Sequence, residues 1–388
     1  MLINKAYEFR IYPTKEQTAL LAVHFGQARF VYNFFLRKRI DFYAANAGSE
    51  KQGLNYYDTS KMLTELKKQT DTAWLQESNA QVLQQSLRHL DAAYNNFFNK
   101  HAQFPSFKKK QARQSLTVPQ AFKFDPIQGT LTIPKITPFK IIVHREVEGR
   151  IKRVTIKKTP SGKYFASLLC EVEKKVNLKN SGPQIGIDLG LKSFLVTSTG
   201  ESVQPPKFLR ASENKLKFFQ RRLSRKMKGS VNRDKARRKV ALIHEKISNQ
   251  RSDFLHKLSH RLVSENQAIF AEDLNVKGMT ANHRLAKSIM DAGWSGLIHQ
   301  IEYKSKWNGV YFGQIDRFFP SSKRCHDCGW INDNLTLKDR EWTCQGCGRI
   351  VDRDINAAQN ILLFGAKQIG LERPESTLSE KRRIKALR

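Results

Sequence analysis

Two Cys-x-x-Cys pairs, Cys325/Cys328 and Cys344/Cys347, stand with fifteen residues between them. Each pair places two thiols on one tight knuckle, and Gly329 and Gly348 follow to permit the turn. Four thiolates close a tetrahedral shell around Zn²⁺ and leave no position open for catalysis. The spacing therefore predicts a zinc ribbon whose metal is structural, holding a small insertion together. The fifth cysteine, Cys170, lies in the alternating run YFASLLCEVE and reads as a core thiol. No disulfide scaffold is indicated, which suits a reducing cytoplasm.

The chain has 388 residues, enough for two or three domains, and a formal net charge of +33. Self-repulsion makes so large an excess a burden unless a polyanion neutralises it, and nucleic acid is the simplest such partner. A membrane surface is the rival. No apolar run approaches the roughly 18 residues of a spanning helix, and MLINKAYEFRIYP has no signal-peptide core. Between 212 and 262 there are 16 Lys/Arg against 4 Asp/Glu. That imbalance is too one-sided for internal ion pairs to absorb. It points to a phosphate-gripping surface, with Arg221, Arg222, Arg225 and Lys226 as its densest group.

Hydrophobic periodicity divides the chain. Residues 5–12 alternate as a strand closed by Pro13, and Thr14-x-x-Gln17 reads as a capping box opening a long helix. Helical spacing returns at 59–68 and 78–98, and short alternating segments fill 115–175. Strand 5–12 is expected to join those later strands in a β-barrel interrupted by a helical insertion. NLKNSGPQ (177–184) reads as a linker. Beyond it come a hairpin over 185–198, basic helices divided near Gly229-Ser230, the strand AIFAEDL, a helix near 293–307, the strand VYFGQID, the ribbon and a helix from about 354. The residues from Gly365 read as a loosely ordered basic tail.

Three carboxylates interrupt apolar elements. Asp188 sits within IGIDLG, where an unpaired buried carboxylate is costly. Glu272 ends AIFAE, and Asp354 stands where VDRDINAAQNIL turns helical. Each alone has an ordinary explanation: a solvent-facing strand end, or an N-cap. Together they can converge at one end of a sheet. Clustered carboxylates repel unless a cation lies between them. Hard oxygen donors favour Mg²⁺ or Mn²⁺, and two such ions can clamp the oxygens of a phosphodiester. On so basic a chain this predicts metal-dependent phosphodiester hydrolysis.

In order along the chain, KAYEFRIYPTKEQ, GQARFVYNFFLRKR, FPSFKKK, GIDLGLKSFLVTSTGE, AEDLNVKGM, FPSSKRCHDCG…WTCQGCG and DRDINAAQNIL resemble the TnpB proteins of insertion sequences, relatives of the type V CRISPR effectors. The resemblance implies an α/β multidomain protein. Its wedge β-barrel would span 1–14 and 115–180 and its helical recognition insertion 15–114. An RNase H-like RuvC domain would span 181–320 and 349–364, with the zinc ribbon at 321–348 and the tail at 365–388. It implies an RNA-guided DNA endonuclease with guide RNA and double-stranded target DNA as partners and one protein copy per RNA complex. The catalytic acids would be Asp188, Glu272 and Asp354, the D-x-N pattern favouring Asp354 over Asp352. Tyr56, Ser60, Gln81 and Gln84 would read a short DNA motif beside the target. Lys108, Lys109 and Lys110 would hold the guide scaffold, and the Arg221 group the guide–target heteroduplex. The alternatives are an RNA-guided binder that does not cut, and a guide-free RuvC-type nuclease or transposase.

Overall fold

The computed structural model describes residues 1–46, 48, 53–179, 181–336 and 338–370. Contacts divide the chain into two units, Met1–Lys174 with Lys228–Leu242, and Lys175–Met227 with the remainder from Ile243.

The first unit opens with strand β1 (Leu2–Tyr12). Helix α1 (Lys15–Ala45) follows, and its capping box is formed: Thr14 Oγ1 accepts from Gln17 N, and Gln17 Oε1 accepts from Thr14 N. Helix α2 (Tyr56–Leu66), a 3-10 helix (Thr70–Glu77) and α3 (Ala80–Phe98) complete a helical block around Val31, Phe35, Leu63, Leu83 and Leu87. Six strands come next: β2 (Gln114–Val118), β3 (Lys123–Asp125), β4 (Thr130–Ile133), β5 (Ile136–Ile142), β6 (Arg150–Lys158) and β7 (Tyr164–Glu173). With β1 they form one antiparallel sheet ordered β2-β6-β7-β1-β5-β4-β3. β1 thus lies centrally, paired with β7 on one side and β5 on the other, which joins the chain's start to its later strands across the insertion. The sheet curls as a half-barrel, and backbone pairing does not close it: β2 and β3 are its edges. Cys170 is fully buried in β7, and burial pushes its thiol above the ordinary range.

The second unit contains β8 (Gln184–Asp188), β9 (Leu195–Thr197) and β10 (Ser202–Val203), then α4 (Phe208–Ser224). Helix α5 (Val231–Glu265) follows; its residues to Leu242 belong with the first unit. Next are β11 (Ala268–Glu272), α6 (Val276–Met279), α7 (His283–Ala292), α8 (Trp294–Asn308) and β12 (Tyr311–Ile315). The ribbon hairpin β13 (Glu341–Thr343) and β14 (Ile350–Asp352) leads into α9 (Arg353–Gln368). The sheet order is β10-β9-β8-β11-β12, with β8, β11 and β12 parallel and β9 antiparallel to β8.

Several expected boundaries move. Thr199-Gly200, which the sequence offers as the turn of the 185–198 hairpin, joins β9 to β10 instead, and β8 reaches β9 through the loop 189–194. Residues 350–352 belong to the ribbon, because β14 pairs with β13. The tail begins later than Gly365: α9 runs to Gln368, with Gly365 and Ala366 buried in it, and 371–388 lie outside the described residues.

Candidate functional site

The position of Asp188 follows from strand register. β8 and β11 run parallel, with Ile187 opposite Ala271. The next residue of each strand is Asp188 and Glu272, so the two acids end neighbouring strands side by side. The carboxyl ends of parallel strands are where α/β sheets hold their ligands. Asp188 is therefore the last residue of its strand and half-buried, rather than embedded in the middle of a strand.

The third acid arrives on α9, whose approach depends on Gly186. A Cβ there would stand 2.1 Å from the Ala358 carbonyl oxygen and 2.7 Å from Leu362 N. The missing side chain lets α9 lie directly on β8. The start of α9 separates two neighbouring aspartates by role. Asp352 caps the helix, its Oδ1 accepting from Asp354 N (3.0 Å) and Ile355 N (2.9 Å). Asp354, in the first turn, is left to act on Asp188.

The electrostatics register this convergence. Asp188 is pushed up to about 7, first by burial and then by the charges of Glu272 and Asp354. Arg353 and the Leu189 backbone N–H pull the other way. Glu272 is raised too, chiefly by burial, while Ser321 Oγ–H donates to its Oε2 (3.4 Å). Arg340 Nη1 lies 3.4 Å from both Asp354 oxygens. Glu272 and Asp354 both lie close enough to act on Asp188. The three acids are not gathered as tightly as the cysteines, whose ligand atoms all lie within 4.8 Å of one another. Ser321 contacts Glu272, and Arg340 contacts Asp354.

The four cysteine sulfurs converge as expected. Cys325 Sγ lies 3.8 Å from Cys347 Sγ, and Cys328 Sγ 3.4 Å from Cys344 Sγ. A tetrahedral Zn–S₄ shell with bonds of about 2.3 Å requires sulfurs about 3.8 Å apart. The ribbon is tied to α9 by two buried asparagines one turn apart. Asn356 Nδ2 donates to the Arg324 carbonyl (2.7 Å), and its Oδ1 accepts from His326 N (2.9 Å). Asn360 Nδ2 donates to the carbonyls of Ser321 (2.8 Å) and Arg324 (2.6 Å). The D-x-N pattern thus carries both an acid and a tether. Arg340, Ser321 and Asn360 have no sequence signal, because nothing in their own neighbourhoods announces the fold around them.

The residues expected to contact nucleic acid lie at several places. Tyr56 lines a cleft of about 760 Å³ in the first unit, together with Tyr57, Gln85, Arg88, Lys152 and Arg153. The Arg88 guanidinium lies over the Tyr56 ring at 4.9 Å. Ser60, Gln81 and Gln84 do not line this cleft; the face α3 turns to it carries Gln85 and Arg88 instead. The Gln81 side-chain oxygen is buried without a hydrogen-bond partner. Arg221, Arg222, Arg225 and Lys226 are exposed at the carboxyl end of α4, where the helix dipole favours cations. Lys108, Lys109 and Lys110 are exposed in the irregular run after α3.

Comparison with known proteins adds three family matches. A family described as "Probable transposase" covers residues 167–283, the "Cas12f1-like, TNB domain" covers 294–361, and a "Helix-turn-helix domain" covers 1–48. In that last segment the structure has a strand and a single long helix. A Streptomyces pristinaespiralis protein named "Putative RNA-guided DNA endonuclease" is 42% identical, covering 94% of this chain and 90% of its own. An Escherichia coli K12 protein with the same name, suffixed InsQ, is 32% identical over 93% of this chain and 92% of its own. Among solved structures, that of a Cas12f1–sgRNA–target DNA complex matches with a TM-score of 0.55 at 14% identity, covering 90% of this chain and 83% of that one. This last likeness concerns the fold.

Proposed function

We propose, from the premise that this chain belongs to the TnpB family, that it is an RNA-guided DNA endonuclease cutting at the Asp188–Glu272–Asp354 site. The observation that carries the reading is the position of Asp188 on its strand end, pushed up to about 7 by burial and by the two other acids. A protein gains nothing from such repulsion unless a cation relieves it.

The donor set fits hard divalent ions. The acids offer carboxylate oxygens at a ligand-binding sheet end, and Ser321 orients one of them. Asp188, Glu272 and Asp354 would hold Mg²⁺ or Mn²⁺, which would supply an activated water and stabilise charge on the phosphodiester oxygens. Arg340, beside Asp354, adds a positive charge at the same end, where a phosphoryl oxygen becomes more negative. Ser321 and the Asn356–Asn360 tether hold the ribbon root against this end. Cys325, Cys328, Cys344 and Cys347 would hold Zn²⁺ in a closed structural shell.

Sequence choice would come from base pairing between guide RNA and target strand, and the protein would read only a short flanking duplex. The cleft holding Tyr56, Gln85 and Arg88 suits that task, since Gln and Arg pair with adenine and guanine edges. The α4 cations would grip the heteroduplex through its phosphates. No helix among the described residues is long and apolar enough to cross a membrane, and the reading places the protein in the cytoplasm with its nucleic acids.

The test is to purify the protein with its co-expressed RNA, sequence that RNA, and offer DNA matching its guide portion. Mg²⁺-dependent, guide-matched cleavage that disappears in Asp188→Ala is expected. Guide-directed binding with intact DNA would replace cutting with a binding role. Cleavage without RNA would remove the guide.

A further inference from the structure

Between α1, α3 and the irregular run from Ser106 to Arg113 lies a cleft of about 380 Å³ in the first unit. Its walls carry Arg29, Lys108, Lys109, Arg113 and His89, and neither Asp nor Glu. The partners its basic groups do have are uncharged. Arg29 donates to Gln114 Oε1 (2.6 Å), and the Lys108 ammonium lies 3.8 Å from the Tyr32 ring centroid.

The cleft is also held in shape. Lys108 lies outside regular secondary structure, yet Asn33 of α1 grips its backbone twice: Asn33 Nδ2 donates to Lys108 O (2.9 Å), and Lys108 N donates to Asn33 Oδ1 (2.8 Å). Gln114 Nε2 donates to the carbonyls of Lys109 (2.9 Å) and Ala112 (3.0 Å). Side chains from α1 and β2 therefore fix a loop whose own backbone makes little secondary structure.

We propose that this cleft is a pocket for one backbone phosphate of the guide RNA, taken where the RNA strand bends sharply into it. The proposal deepens the guide-RNA reading above and rests on it. Four basic side chains around a hollow with no acid make a potential that only an anion relieves. A pre-set loop reduces the ordering needed on binding. The hollow form selects the partner: phosphates of a regular DNA duplex lie along a convex cylinder, whereas unpaired RNA can turn a phosphate into a recess. Ser86 and Ser106 on the same walls offer hydroxyl oxygens to a ribose 2′-hydroxyl, the group that marks RNA.

Burial and crowded positive charge act on two side chains of the cleft. Burial in the cleft lowers Lys108 to about 8. His89 is lowered to about 4, first by burial and then by the charges of Lys108 and Arg153. Both remain open to solvent while lying among protein atoms on most sides, as a concave wall allows. The cleft already resists its own positive charge, and a phosphate there reverses that resistance. Lys110 does not line the cleft, whereas Arg113 and the sequence-distant Arg29 do.

Phosphate-ethylation interference tests this with the RNA that co-purifies with the protein. The variants are Lys108→Met, which keeps the alkyl stem over Tyr32, and Arg113→Gln; Lys123→Gln on β3, outside the cleft, is the control. The wild type is expected to show a strong interference position of one or two adjacent phosphates that fades in both cleft variants and persists in the control. Affinity should fall by about tenfold per basic group removed, and the salt slope by about 1 for each. Unchanged melting temperatures show that the variants fold. Wild-type affinity and an unaltered interference pattern in both cleft variants would overturn the pocket and leave the guide reading intact. A wild type that binds no RNA would overturn the guide reading and the pocket with it.

Discussion

Replacing Gly186 with alanine tests how the proposed catalytic end is assembled without touching an acid. The added Cβ would stand 2.1 Å from the Ala358 carbonyl oxygen and 2.9 Å from Leu362 Cβ. The first of these is helix backbone, so no rotamer change relieves the clash. An ordinary contact begins near 3.4 Å, so α9 must retreat from β8 by about 1.3 Å. Overpacking of this kind costs about 1–3 kcal/mol. For a unit of this size that lowers the melting temperature by about 2–12 °C. Asp354 travels with α9, while Asp188 and Glu272 stay on the sheet. A misplacement of about 1 Å at a reacting centre can slow chemistry about 100-fold. Gly186→Ala should therefore cleave guide-matched DNA about two orders of magnitude more slowly while binding guide RNA as the wild type does. Single-turnover cleavage with saturating Mg²⁺, RNA binding and a melting curve on the same preparation give the three readouts. A variant cutting at the wild-type rate with an unchanged melting curve would refute the claim that close α9–β8 packing sets the site.

Asp188 links stability to pH and metal. Its folded value, raised to about 7, lies above the unfolded value near 3.8, so the folded protein holds the proton more tightly. Metal-free protein should lose stability as pH rises from about 4 to 7; Mg²⁺ should raise the melting temperature more at pH 7.5 than at pH 5, and Asp188→Asn should flatten both trends. Stripping the cysteine site with a strong chelator, then removing the chelator and restoring Mg²⁺, should leave the ribbon melted and cleavage abolished while guide-RNA binding persists; full activity of zinc-free protein in Mg²⁺ would remove zinc from the account. Asn356→Ala removes the acceptor of His326 N–H and one of the two donors to the Arg324 carbonyl, which keeps Asn360, costing about 1–3 kcal/mol, and should lower the cleavage rate more than DNA binding. Changing Arg221, Arg222, Arg225 and Lys226 together to Gln should weaken target binding and reduce its salt slope by about 1 for every phosphate no longer neutralised; an unchanged slope would clear α4 of the grip.

What was legible in the sequence was local. Cys-x-x-Cys spacing encodes a knuckle whatever surrounds it, and Thr14-x-x-Gln17 encodes a capping box realised in detail. The strand ending in Glu272 and the break near Gly229 between the basic helices follow from periodicity and turn chemistry. Less legible was anything depending on helix phase or remote packing. Tyr56 lines the first-unit cleft, but the face α3 shows to that cleft carries Gln85 and Arg88 rather than Gln81 and Gln84, since packing against α1 and α2 sets the helix's rotation. The expected barrel is a curled half-barrel sheet, and its edge strands β2 and β3 follow from pairing that strand patterning does not specify.

The acids divide the same way. The sequence by itself determined that three carboxylates interrupt apolar elements and that four thiols form one ribbon, because spacing and alternation are properties of short segments. Only the tertiary structure decided that Asp188 and Glu272 end neighbouring parallel strands, that Asp352 caps α9 while Asp354 acts on Asp188, and that Arg340 contacts Asp354 and Ser321 contacts Glu272. Those choices rest on strand register and on a helix resting against one glycine, and such long-range packing energies leave no mark on the local pattern.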